Sequence, residues 1–149
     1  MNSITILLEE QLQLLHDVCH DFGEADFNKT SPTGKWSARD NLAHLVRYQL
    51  IAIDRFNRIQ LETKPILARY VAEEDQSFNA VRQLDRAQLI KQYNDGRQQL
   101  YAKIEDLKVS GKDLVGVHPR LGEMHIRQWL QFFALHESHH IFTIFQLRA

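Results

Sequence analysis

Two pairs of histidines spaced four apart, His16/His20 and His136/His140, are the residues of this chain whose types and spacing first suggest chemistry. Four residues bring an α-helix back to nearly the same face, so both rings of such a pair can share one metal ion. The chain holds 8 histidines in 149 residues. Chance alone supplies about 0.4 such pairs, so context has to decide between metal site and coincidence. His16 and His20 stand beside Asp17 and Asp21 at the end of a helical stretch, just before Gly23. Polar or protonated histidines suit the negative end of a helix dipole, and that pair reads as a solvated last turn.

His136 and His140 lie in an aromatic stretch. At about 100° per residue they border the apolar arc that contains Trp129, Phe133, Ile126 and Ile144. Half-buried imidazoles need partners, which a metal, a carbonyl or water supplies. His139 points toward solvent or behind a ligand. Glu137 falls inside the apolar arc, where a carboxylate is paired, shifted in its protonation or set in a dimer face. His136-Glu137-Ser138-His139-His140 also spells H-E-x-x-H, the zinc-protease string with glutamate as general base. Those enzymes take a third ligand downstream, and Ile141 to Ala149 contains no His, Asp, Glu or Cys. A third ligand must come from His16, His20, His44, His118 or His125. His44 lies on another helix, as bundle sites require, yet its periodicity places it opposite that helix's apolar seam, as a surface residue.

Four helical stretches position these residues. The first runs from Ser3 to Phe22, with Leu8, Leu12, Leu15 and Cys19 at steps of three or four. The second begins at Ser37, because Ser37-Ala38-Arg39-Asp40 reads as a capping box, and its seam runs from Leu42 to Phe56. A third covers Arg86 to Leu107, with Gly96 costing it about 1 kcal/mol against alanine. The last covers Met124 to Leu147. Ile66 to Leu84 reads as irregular or as holding a short helix, and Val115 and Val117 as a short extended turn. The chain is therefore predicted to be all-α: a four-helix bundle in up-down order, with a long connection between helices 2 and 3 and a loop before helix 4. Residues 1–149 read as one domain, without repeats or a linker.

Composition narrows the classes. With 18 basic and 19 acidic residues the formal net charge is −1, which offers no field for nucleic acid or an anionic membrane. No apolar run approaches a membrane span, and no basic region precedes Ile4. A single cysteine, Cys19, excludes an internal disulfide framework and reads as a small buried apolar residue. A cytoplasmic location is expected.

The segment Gly34-Lys35-Trp36-Ser37-Ala38-Arg39-Asp40-Asn41-Leu42-Ala43-His44-Leu45 resembles the second-helix motif of the DinB superfamily. His118-Pro119-Arg120-Leu121-Gly122-Glu123-Met124, Trp129-Leu130 and His136-x-x-His139-His140 resemble its final loop and fourth helix, so the resemblance spans essentially the whole chain. It is to the bacillithiol-transferase-like metalloproteins of that superfamily. The resemblance implies a four-helix bundle, often a homodimer, with one divalent metal on three histidines that map onto His44, His136 and His140. It sets aside the surface reading of His44. Two positions depart from the pattern: His125 stands where a Ser or Thr cap is common, and Thr143 where a Gln often follows the last ligand.

Three neutral imidazoles with an open position suit zinc or nickel, with manganese, iron or cobalt as alternatives. Such a metal lowers the pKa of bound water, or holds a thiol as thiolate, near neutral pH. The resemblance implies a metal-dependent thiol S-transferase, in which a low-molecular-weight thiol cosubstrate attacks a small electrophile. A metal-dependent hydrolase using a metal-bound hydroxide is the alternative, and a noncatalytic metal-stapled dimer the third reading. Glu137, Asn41 and Tyr48 are expected behind the ligands or lining the cleft, together with Trp129, Phe132 and Thr143. Arg47 or Arg55 is placed to hold a cosubstrate carboxylate, with solvated arginines as the alternative. Trp36 reads as a structural plug at the helix entry.

Overall fold

In the computed structural model, which describes residues 1–30, 32–110 and 113–148, all four expected helices form. They are α1 (Asn2–His20), α3 (Ala38–Leu61), α5 (Arg86–Val109) and α6 (Ile126–Leu147). Shorter elements join them: α2 (Glu24–Asn28), a 3₁₀ turn (Ala72–Glu74), α4 (Gln76–Val81) and a hairpin of β1 (Val115–His118) and β2 (Gly122–His125). Ser31 of the first expected loop, Gly111 and Lys112 of the last, and Ala149 lie outside the described residues.

The capping box forms as its sequence requires. The Asp40 amide donates to Ser37 Oγ at 3.0 Å, and the Ser37 amide to Asp40 Oδ2 at 3.1 Å. Boundaries shift elsewhere. The first helix stops at His20, and α3 runs on past Phe56 to Leu61. The last helix starts at Ile126 rather than Met124, because Met124 is held in the antiparallel ladder opposite Gly116. The expected extended turn at Val115 and Val117 is thus a true hairpin strand. Ile66 joins it through a parallel bridge to Val117, so the long connection is stitched to the hairpin.

The expected up-down order is corrected. The α3 and α5 helices run parallel: Gln49 meets Tyr93 and Arg97 around the middle of both, and Gln60 meets Lys103 farther toward the C-terminal ends. The α1 helix packs on α5 and α6, as α3 does, so α1 and α3 sit diagonally across the bundle. Parallel neighbours cannot be joined by a short turn. Residues 62–85 therefore travel back along the bundle, and they cover the outer face of α3 on the way.

At the α3–α5 crossing, Gly96 has a packing role. A Cβ there would meet Gln49 Nε2 at 2.7 Å, and that amide donates to the Tyr93 carbonyl at 2.9 Å. Gly96→Ala gains about 1 kcal/mol of helix propensity but overpacks the crossing, at a cost of about 1–3 kcal/mol. A net loss of stability is expected in urea denaturation; a gain would show that the Gln49 side chain yields freely.

Candidate metal centre

Where α3 faces α6, His44, His136 and His140 each present a ring nitrogen to one point, with all such atoms within 4.8 Å of one another. The Nε2 atoms of His44 and His136 are 3.1 Å apart. Metal–nitrogen bonds of about 2.0–2.1 Å place two ligand nitrogens about 3.3 Å apart in a tetrahedral site, so the spacing fits a small divalent ion. Two lone pairs so close repel unless a proton or a cation lies between them. Nδ1 of each of these two rings is buried without a hydrogen-bond partner.

His140 shows how the local sequence fixes a ligand. Asn41 follows the capping box by one residue, and its Nδ2 donates to the Ser37 carbonyl at 2.9 Å. That bond orients the amide so that Asn41 Oδ1, 2.9 Å from His140 Nδ1, accepts the ring proton. The lone pair then resides on Nε2, the atom free to bind a cation. Burial works to raise the Asp40 carboxyl, but hydrogen bonds from Arg82 and Ser37 outweigh it and hold that carboxyl below its ordinary value. The cap, the amide and the ligand form one chain. Asn41→Leu should weaken metal binding by about 10–100-fold with the fold retained, as read by chelator competition and circular dichroism.

All three rings are kept neutral. Burial pushes His44 down to about 4, with Glu73 opposing. Burial and then the neighbouring histidines push His136 to about 2 and His140 to about 3. Protons therefore compete poorly for these nitrogens from pH 6.5 down toward about 4, where His44 begins to charge. Three ordinary imidazoles would lose about 10³-fold in metal affinity between pH 7.5 and 5.5. Here the expected loss is under about tenfold, measured against a chelator of known pH response.

The cluster forms part of the wall of a cleft of about 700 Å³ between the hairpin and the long connection. Its aromatic walls are Trp36, Tyr48, Tyr70 and Phe132. Tyr48 stacks on His136 with ring centroids 3.7 Å apart, and His44 lies against Tyr70 at 5.8 Å. Trp36 is 5.1 Å from the His44 ring and 6.2 Å from His140, so it is a wall of the cleft and not merely a plug. Arg55, Arg69, Arg120 and Glu73 supply the charge, and His118 stands at the hairpin tip. Burial, then Arg55 and Arg120, hold His118 below its ordinary pKa.

Other expected residues lie elsewhere. Arg47 does not face the cleft; it pairs with Asp75 at 2.9 Å, and Tyr70 donates to the same carboxylate at 2.6 Å. Glu137 turns away from the histidines into the bundle, against Arg97. Trp129 is buried beneath Arg55, and Thr143 donates to the His139 carbonyl. His16 is half-buried and bonded to Asn94, leaving His20 as the exposed member of that pair. Cys19 is buried, which pushes its thiol up to about 12 and leaves it unreactive. His125 caps α6, its amide donating to Gln128 Oε1 at 2.9 Å. Sequence reasoning missed Tyr70, Glu73 and Arg69, which come from a connection with no helical period to flag them.

The sequence profile of the DinB superfamily matches residues 7–144. Among solved structures, YfiT from Bacillus subtilis superposes with a TM-score of 0.80 at 18% identity, covering 98% of this chain and 84% of that one. It is described as a probable metal-dependent hydrolase with an unusual four-helix bundle topology. No curated protein matches.

Proposed function

This chain belongs to the DinB superfamily, and on that premise we propose that it is a metal-dependent hydrolase of small molecules. The observation supporting this most is the convergence of three neutral imidazoles on an open cleft. His44, His136 and His140 would hold the ion, and Asn41 would fix the tautomer of the last. A divalent cation bound there supplies Lewis acidity, making water or a thiol nucleophilic near neutral pH. The chain's own residues do the rest. Trp36, Tyr48, Tyr70 and Phe132 exclude water and stack a flat substrate, while the Tyr48 ring holds His136 in place.

Thiol transfer, the reaction the sequence resemblance put first, is the second reading. The cleft volume favours it, since about 700 Å³ accommodates a thiol cosubstrate beside an electrophile. One experiment separates the two. Zinc-loaded protein is expected to hydrolyse an activated carboxylic ester without added thiol, and His140→Ala to lose that turnover. Turnover that appears only with a thiol assigns the transferase instead. Equal rates in the variant would contradict both readings.

A further inference from the structure

Arg55 is a buried cation without an anion. It is 8% exposed, and its NH1 and NH2 groups donate to Tyr48 OH at 3.3 Å and to the Ala68 carbonyl at 2.8 Å. Its guanidinium lies over the rings of Tyr48 and Trp129, 5.7 and 5.9 Å from their centroids. Arg97, the other buried arginine among the described residues, meets Glu137, and the half-buried Arg47 and Arg82 meet Asp75 and Asp40. Arg55 forms no ion pair among the described residues, and it lines the cleft. Two neutral acceptors leave most of its five donors unmatched by the protein, and no carboxylate offsets its charge.

The hairpin tip brings further donors to the same side. The amides of Arg120 and Leu121 both donate to His118 Nδ1, each at 3.1 Å. That fixes the neutral ring's proton on Nε2, so His118 enters the cleft wall as a donor. Arg120 and Arg69 add positive charge, against the single carboxylate of Glu73. Tyr48 is the ruler between the two ends: its ring lies on His136 and its hydroxyl meets Arg55.

We infer that Arg55, with His118 and Arg120, forms a carboxylate subsite, and that the cleft takes a small aromatic or acyl carboxylate whose acid group sits about one tyrosine side chain from the three histidines. The inference deepens the proposed function, on which it rests for the reacting end alone. A guanidinium fork matches a planar carboxylate, and the aromatic walls stack the body between the two ends. A neutral analogue of the same shape leaves the guanidinium unpaired and binds less well.

The test uses binding to metal-free protein, because a carboxylate would also bind a metal directly. Benzoate and benzamide are titrated at matched ionic strength, followed by amide chemical shifts. Benzoate should saturate with shifts around Arg55 and His118, and benzamide should bind at least about tenfold more weakly. Arg55→Gln should raise the benzoate Kd by at least about tenfold, and Arg120→Ala, at an exposed position, by a smaller factor. Equal binding of benzoate and benzamide to the native protein would overturn the subsite, whether or not Arg55→Gln folds. A folded Arg55→Gln that binds benzoate like the native chain would do the same. A parallel zinc titration keeps the two ideas apart. Zinc uptake without benzoate preference ends this inference alone, and benzoate preference without zinc uptake upholds it while ending the proposed function.

Discussion

Replacing His136 with alanine is expected to weaken binding of a divalent cation by about 10²–10³-fold. Binding free energies of about 10–16 kcal/mol spread over about four ligands make one imidazole worth about 2.5–4 kcal/mol. His136 is the ligand candidate with the most at stake. Its Nε2 is 3.1 Å from that of His44, and its ring is packed against Tyr48. Alanine removes the donor and the packing partner of one cleft wall together. Zinc competition titration reads the first effect, and a thermal melt of the metal-free protein reads the second. A variant that binds zinc as the native chain does would place the ion elsewhere.

Arg97→Met is expected to have the largest effect on stability, about 3–5 kcal/mol. Arg97 is wholly buried and ties all four long helices together. It donates to Leu8 O of α1 at 2.7 Å, to Gln49 of α3 at 2.6 Å, to Tyr93 of its own helix and to Glu137 of α6. Burial pushes the Glu137 carboxyl up and the Arg97 guanidinium down to about 10. Removing the cation leaves a carboxyl stranded in the core, with Glu137 Oε2 already lacking a partner. For a chain of this length the melting temperature should fall by about 10 °C. Arg97→Met/Glu137→Leu should recover most of that loss, because an apolar pair of similar volume has no charge to desolvate. A double variant no more stable than Arg97→Met would assign the loss to packing instead.

The fate of Glu137 shows what the sequence could and could not tell. Helical phase placed it correctly in the apolar arc and offered pairing as one outcome. Phase could not name Arg97 as the partner, because that contact spans two helices 40 residues apart. His44 shows the opposite failure. Its phase put it opposite the seam of α3, where an amphipathic helix meets solvent. The α3 helix is covered on that side too, by residues 62–85 and α2, so the outward face is also interior and His44 is 6% exposed. His44 was one of five histidines open as the third ligand, and the resemblance carried by Gly34 to Leu45 singled it out against its phase. Asn41 was legible for a local reason, standing one residue after a capping box and one turn before His44. Arg47 and Arg55 were alike in sequence, and the long connection distinguishes them: it offers Asp75 to one and only the Ala68 carbonyl to the other.

The topology was the least legible part. Four amphipathic stretches specify a bundle, and the long second connection was visible in its Pro65 and its lack of period. That this connection reverses the usual order, making α3 and α5 parallel, depends on where residues 62–85 dock. Their anchors are Leu67 and Pro65 pairing with Val117 of the hairpin. A β-bridge between segments 50 residues apart leaves no mark on either segment's periodicity. The same bridge ties together the two segments that line the cleft, residues 69–73 and 118–121, so the order of the helices and the shape of the site share one cause.

Titration of the metal-free protein with cobalt(II), followed by visible spectroscopy, tests most directly the claim that three imidazoles hold one ion open to the cleft. The account predicts saturation at about one equivalent per chain, with a low-coordinate spectrum that changes when azide or a small thiol is added. His136→Ala/His140→Ala should abolish that spectrum. No saturable binding in the native protein, or a bound ion whose spectrum ignores added ligands, would contradict an open three-histidine centre.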